Sequence, residues 1–242
     1  MASINFMDLL GALTQGGMAP SAGSRMQTAG SGLQDLLGGL LGGGQSMLNT
    51  AGQAMGGKDN LAAAGLGALL GSLSGKSGSS SLGGLGGGLM GLLGMMAFKA
   101  LKNAGQESQA APLLKQAGAS PQELENNAQL IIAAMIDAAK ADGQVDAEEL
   151  NRVTGKLKES GIGQEGMNYI IAQLQRPMST NSIVSAVRGR PDLAAQVYSA
   201  SLMAIEVDTA AERKYLDDLA RAMGLQASVA KNIEQLVGMQ RA

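Results

Sequence analysis

From residue 121 to residue 237 apolar positions recur at three- and four-residue intervals, broken by clear helix stops and starts. Ile131, Ile132, Met135, Ile136 and Ala139 form the first stripe. They predict a helix that opens at Ser120-Pro121-Gln122-Glu123 and runs to Asp142. Ser120 takes the N-cap, Pro121 the first helical position, and Glu123 the third position that closes a capping box. Gly143 suits the left-handed residue that ends such a helix. Asp146-Ala147-Glu148-Glu149 restarts the chain in the same way, with Val145 and Leu150 placed as a hydrophobic staple. Leu150, Val153 and Leu157 give that helix an inner face, and Gly161 an end. Met167, Ile170, Ile171 and Leu174 mark a helix over 164–175, stopped by Pro177. A short helix over 181–187 follows, and Gly189 breaks it. Pro191 opens the next helix, which carries Leu193, Val197, Ala200, Ala204 and Ile205 on one face. Thr209-Ala210-Ala211-Glu212 is a second capping box, leading into Tyr215, Leu216, Leu219 and Met223. Val229, Ile233, Leu236 and Val237 mark the last helix. Sustained two-residue alternation occurs nowhere, so the predicted class is all-α.

Two stretches of this pattern echo each other. AAKADGQVDAEEL and MAIEVDTAAERKYL both run from a small-residue helix end through an acidic corner into a capped helix. In this pairing Asp142 matches Glu206 and Glu149 matches Glu212. Residues 121–240 therefore read as one bundle built from two helix–corner–helix units.

The upstream pattern is different. Residues 1–110 hold 27 of the 36 glycines. Ile4, Met7, Leu10 and Ala12 share one side of a short N-terminal helix, expected to fray and to dock weakly or not at all. With no basic residue ahead of it, this start does not read as a secretory signal. Residues 1–60 are expected to be low-complexity and mostly disordered, because glycine loses much backbone entropy on ordering and few side chains here offset it. Residues 61–101 are rich in Gly and Leu, and no charge lies between Asp59 and Lys76 or between Lys76 and Lys99. The segment 80–98 is the best candidate for a membrane-spanning helix, at the short limit of about 20 residues. Gly83, Gly87 and Gly91 would form a smooth stripe along it for a second backbone. The alternative is a soluble, flexible Gly-Leu arm. Lys99 and Lys102 behind the segment favour a cytoplasmic C-terminal side. Residues 102–120 read as a linker.

Composition narrows the chemistry. The chain has no His and no Cys, which removes the commonest general base, the thiol nucleophile and the usual ligands of zinc, haem and iron–sulfur clusters. A net charge of −2 without a basic run, and five aromatic residues without Trp, argue against nucleic-acid binding. No small-molecule substrate and no cofactor are expected, and no enzyme. A metal here would be a hard cation held by oxygen. The candidate ligands are Asp142, Asp146, Glu149, Glu206 and Glu212, and Ca²⁺ or Mg²⁺ would accept them if the two corners converge. The pattern is not an EF-hand. Helix capping accounts for Asp146, Glu149 and Glu212 without a metal, and leaves Asp142 and Glu206 less well explained.

The stretches AAMIDAAKADGQVDAEEL, QLQRPMS and PDLAAQVYSASLMAIEVDTAAERKYLDDLARAMGL resemble the tellurite-resistance TerB-like helical domains. They are closer still to the YebE-like family of uncharacterised bacterial inner-membrane proteins, domain of unknown function 533. The resemblance implies an all-α bundle, association with the bacterial inner membrane and no established activity. TerB-like domains are suspected of binding divalent cations at their acidic corners, which here are Asp142, Asp146, Glu149, Glu206 and Glu212. Glu206 stands where Asp is usual, and no Gly follows it. The resulting expectation is a non-enzymatic, membrane-associated binding or scaffold protein, with its helical domain in the cytoplasm and a role in envelope or metal stress. The competing expectations are a soluble helical adaptor that self-associates through its glycine-rich arm, and a weak divalent-cation module.

Overall fold

The computed structural model describes residues 4–16, 24–25, 27–29, 85–116, 119–143, 154–155, 158, 162–205 and 207–239. Among them are nine helices: α1 (Phe6–Gly16), α2 (Leu85–Asn103), α3 (Glu107–Lys115), α4 (Pro121–Ala139), α5 (Gln164–Leu174), α6 (Thr180–Ala186), α7 (Pro191–Ala204), α8 (Ala210–Ala222) and α9 (Ala227–Leu236). No strand occurs among the described residues, so the chain is all-α as its periodicity predicts. Of the predicted helix that starts at Asp146 only Thr154, Gly155 and Lys158 are described, and they are helical; the rest of it lies outside the described residues, as does the stretch 30–84.

Helix α7 is the axis of the bundle. Every residue from Asp192 to Ala204 is buried. Its small side chains, among them Ala194, Ala195, Ser199, Ala200 and Ser201, let neighbouring helices approach closely. It packs most extensively on α4, and also on α2, α3, α8 and α9. Sequence periodicity assigns this helix one inner face. The structure buries all of it, and the two serines on it turn their hydroxyls back to the carbonyls of Ala195 and Val197 at 2.8 and 3.1 Å. That internal pairing lets a polar side chain sit in a core.

Helix α2 covers most of the segment expected to span a membrane. Here Leu89, Leu92, Leu93, Met96, Ala97, Ala100 and Leu101 are buried against α1, α3, α7 and α9. Among the described residues no helix is long and apolar enough to cross a membrane. A helix that is apolar on every side suits either lipid or the middle of a bundle, so its sequence alone does not separate the two. In this structure other helices surround it, and Asn232 of α9 donates to the Ala100 carbonyl at 3.1 Å.

Two expectations about flanking pieces are corrected. Helix α1 does not dock weakly: Leu9, Leu10 and Leu13 are buried, and Phe6 meets Tyr169 edge to face with ring centroids 5.0 Å apart. Its start is held by the Glu125 carboxylate of α4, which accepts from the Phe6 and Met7 amides, the second at 3.3 Å. That carboxylate lies 118 residues away along the chain, and no local motif announces it. The stretch read as a linker holds α3, whose Ala110 and Leu113 are fully buried. Pro112 lies inside α3 and disguises it as a connector in sequence.

Candidate functional site

The capping boxes at Ser120 and Thr209 form as read, and the one expected at Asp146 lies outside the described residues. Ser120 accepts from the Glu123 amide at 3.3 Å, while Glu123 accepts from the Ser120 amide at 3.0 Å. These bonds hold the Glu123 carboxyl below its ordinary range. At the second box Thr209 accepts from the Glu212 amide at 3.2 Å. One oxygen of Glu212 accepts from the Asp208 amide at 3.1 Å and from the Thr209 amide and hydroxyl at 2.8 Å each. Burial pushes the Glu212 carboxyl up, but the bonds from Thr209 and Asp208 outweigh it and leave it below the usual range.

The five candidate metal ligands divide accordingly. Glu212 is committed to the cap of α8. Asp142 is exposed in the turn after α4. Asp146, Glu149 and Glu206 lie outside the described residues. Among the described residues no three acidic, His or Cys side chains gather as a cation site.

The end of α4 gathers charge for a different task. Asp137 is buried, and one of its oxygens accepts from the Ser179 amide at 2.7 Å, the Thr180 hydroxyl at 3.1 Å and the Ser179 hydroxyl at 3.4 Å. It therefore caps α6 from another helix. Three residues later the buried Lys140 ammonium donates to the carbonyls of Gln173 and Arg176 at the end of α5, the first at 3.3 Å. A carboxylate at a helix start and an ammonium at a helix end both complement the macrodipole. Burial raises the Asp137 carboxyl despite the opposing bonds from Thr180 and Ser179 and the Lys140 charge. Tyr215 lies beside this node, and burial, then the Asp137 charge, push its phenol well up. Asp137 belongs to no local motif in the sequence. Its signal was a single carboxylate inside the apolar run 130–139.

Ser179 also lines a groove of about 760 Å³ between α3 and α4 on one side and α6 and the start of α7 on the other. Its walls carry the amides of Gln116, Asn126, Asn127 and Gln129 and the hydroxyls of Tyr169, Ser179 and Ser182. Leu130, Ala133, Ile183 and Leu193 supply apolar surface. Burial raises the Tyr169 phenol, with Gln129 opposing it by a hydrogen bond. Arg190 sits on the rim and pairs with the buried Asp192 at 3.0 Å. Asp192 in the first turn of α7 complements that helix start. The groove draws its lining from residues 112–193, which share no motif.

No solved structure matches this chain. A curated relative, the "Uncharacterized protein in ampR 5'region" of Yersinia enterocolitica, is 25% identical over 120 residues, covering 50% of this chain and 86% of the relative. A family model described as a protein of unknown function (DUF533) matches residues 54–237, which take in α2 through α9 with the groove and the capped corners. The chain is therefore a member of the DUF533 family.

Proposed function

We propose that this protein is a non-catalytic helical scaffold, and that a partner polypeptide docks in the groove between α3, α4 and α6. The groove lining carries the proposal. Amide side chains both donate and accept, so Gln116, Asn126, Asn127 and Gln129 match the alternating N–H and C=O groups of an extended chain. Leu130 and Ala133, both partly exposed, offer apolar contact for its side chains. Asn126 and Ser182 are exposed, so Asn126→Arg and Ser182→Arg obstruct the groove without touching the core. Cross-linking and affinity capture should recover a partner with the native chain and lose it with both variants. The same proteins on all three baits, or none on the native one, would overturn the proposal.

Within the family we read the bundle as TerB-like and YebE-like. Helix α4 with the residues after its acidic corner forms one unit, and α7 with α8 the other. Support comes from the close packing of α4 on α7 and from the capping box that opens α8. The proposed setting is the bacterial inner membrane, on the strength of the uncharged Gly/Leu run ahead of Lys99. Extraction of membranes with alkaline carbonate tests it, and release of the protein with the soluble fraction counts against it.

A further inference from the structure

Three helices begin at one end of the bundle without a side-chain cap. Neither Gln106 before α3, nor Arg190 before α7, nor Gln226 before α9 caps the helix it precedes with its side chain. The chain reaches each start through a left-handed glycine: Gly105, Gly189 and Gly224, with φ of 74°, 74° and 70°. Gln106, Arg190 and Gln226 all line one cavity of about 390 Å³. The first-turn amides of an uncapped helix keep unsatisfied donors and the positive end of the dipole. Among the lining residues the Gln106 amide is taken by the Leu101 carbonyl at 2.9 Å and the Gln109 amide by the Gln106 carbonyl at 3.0 Å, so the α3 start adds the positive end of its dipole rather than a free backbone donor.

Two further observations point to a ligand. Gln106 is 9% exposed, lines the cavity, and has a side-chain amide nitrogen without a hydrogen-bond partner. A buried donor left unpaired is unfavourable, and an acceptor brought into the cavity would relieve it. The second observation is the charge balance of the lining. Arg188 and Arg190 are its only ionisable side chains among the described residues. Arg190 is paired with Asp192, whereas no carboxylate pairs with Arg188 among the described residues. Opposing terms are present. The carbonyl ends of α6 and α8 also reach the cavity, and Glu107 lies in the first turn of α3. The last turn of α8 is closed by bonds from Gly224 and Leu225 to the Arg221 and Ala220 carbonyls at 3.1 and 2.9 Å, and Glu107 is exposed. The Arg188 guanidinium, which has no carboxylate partner among the described residues, therefore sets the sign.

We infer that this cavity is an anion site for a phosphate monoester with a small apolar body. Phosphate presents three terminal oxygens, enough to take the Arg188 fork and the Gln106 side-chain amide together, with the helix starts adding their dipoles. Val184, Val187, Met223 and Leu225 line the rest of the cavity and favour an apolar substituent over the bare ion. The site is separate from the proposed docking groove, sharing only Arg190 with it, so either proposal can fail alone.

The test is a titration of the full chain with inorganic phosphate and with phenyl phosphate, followed by amide resonances and by calorimetry. The Gln106 side-chain amide and the backbone signals of residues 106–108 and 226–228 should shift saturably, and phenyl phosphate should bind the more tightly. Arg188→Gln removes an exposed charge and should weaken both ligands about tenfold, the worth of one charge-assisted bond. Arg213→Gln, exposed on α8 outside the cavity, should leave binding unchanged. Vesicles containing phosphatidic acid, set against the soluble ester, distinguish a lipid headgroup from a free metabolite, and binding of either one supports the site. Absence of a saturable shift, or equal weakening by the two arginine variants, would overturn it.

Discussion

Asp137 sets two effects against each other, and its pH behaviour shows which one wins. Three donors stabilise its charged form, yet burial raises its carboxyl above the ordinary value of 3.8. Its folded form therefore binds a proton more readily than its unfolded form. The sign follows from linkage. Stability from this group is fully present below the unfolded value and is lost as pH rises through the folded one. Glu212 acts in the opposite sense: its lowered carboxyl contributes stability above its unfolded value, which is lost as pH falls through the folded one. Carbon-detected titration should place the Asp137 carboxyl above an ordinary aspartate, and a normal or lowered value would refute this account. Asp137→Asn keeps an acceptor for Ser179 and should remove the falling limb from the stability profile. Gln196 poses a simpler question. It is fully buried on α7, and neither its amide nitrogen nor its amide oxygen has a hydrogen-bond partner. Met has a similar length and no amide to satisfy. Gln196→Met should therefore raise stability by about 1 kcal/mol, visible as a higher Tm. A lower Tm would mean that the amide has found a partner in solution.

At the scale of elements α4 acts as a fastening rod. Its Glu125 holds the start of α1, its Asp137 the start of α6 and its Lys140 the end of α5. Each contact satisfies groups that a helix terminus otherwise leaves open. Glu125→Ala should therefore loosen α1 locally, by about 0.5–2 kcal/mol, without melting the bundle. Hydrogen exchange checks this: the amides of α1 should exchange faster while those of α7 keep their protection. Unchanged exchange in α1 would show that Leu9, Leu10 and Leu13 hold it alone. This pattern also marks what the sequence made legible. The boxes at Ser120 and Thr209 were readable because cap and partner lie three residues apart. Glu125 and Asp137 were not, because their partners lie 118 and 42 residues away and only tertiary packing joins them. The groove and the anion cavity were hidden for the same reason. Helix periods located α4, α5, α7, α8 and α9, but one apolar face did not reveal that α7 is covered on every side.

At the scale of the molecule the question is what surrounds α2. Its Leu/Met/Ala composition with interspersed glycines satisfies both a bilayer and a protein interior, since each asks for apolar side chains and internally bonded backbone. The structure places Leu93 and Met96 at 0% exposure, between helices from both ends of the chain. These alternatives differ in how the rest of the protein responds to a charge in α2. If α2 belongs to the core, a carboxylate at Leu93 is buried without a partner and weakens α4, α7 and α9 along with it. Leu93→Asp should then lower the stability of the whole bundle by at least about 3 kcal/mol, including the loss of a buried leucine. Thermal unfolding followed at Tyr198, which is fully buried on α7 and accepted by Glu234 of α9 at 2.7 Å, reports on helices that a membrane-embedded α2 would not touch. A cooperative drop in Tm at Tyr198 supports the core assignment. An unchanged transition there, with loss of membrane retention alone, would return α2 to the bilayer and leave the remaining helices as an independent domain.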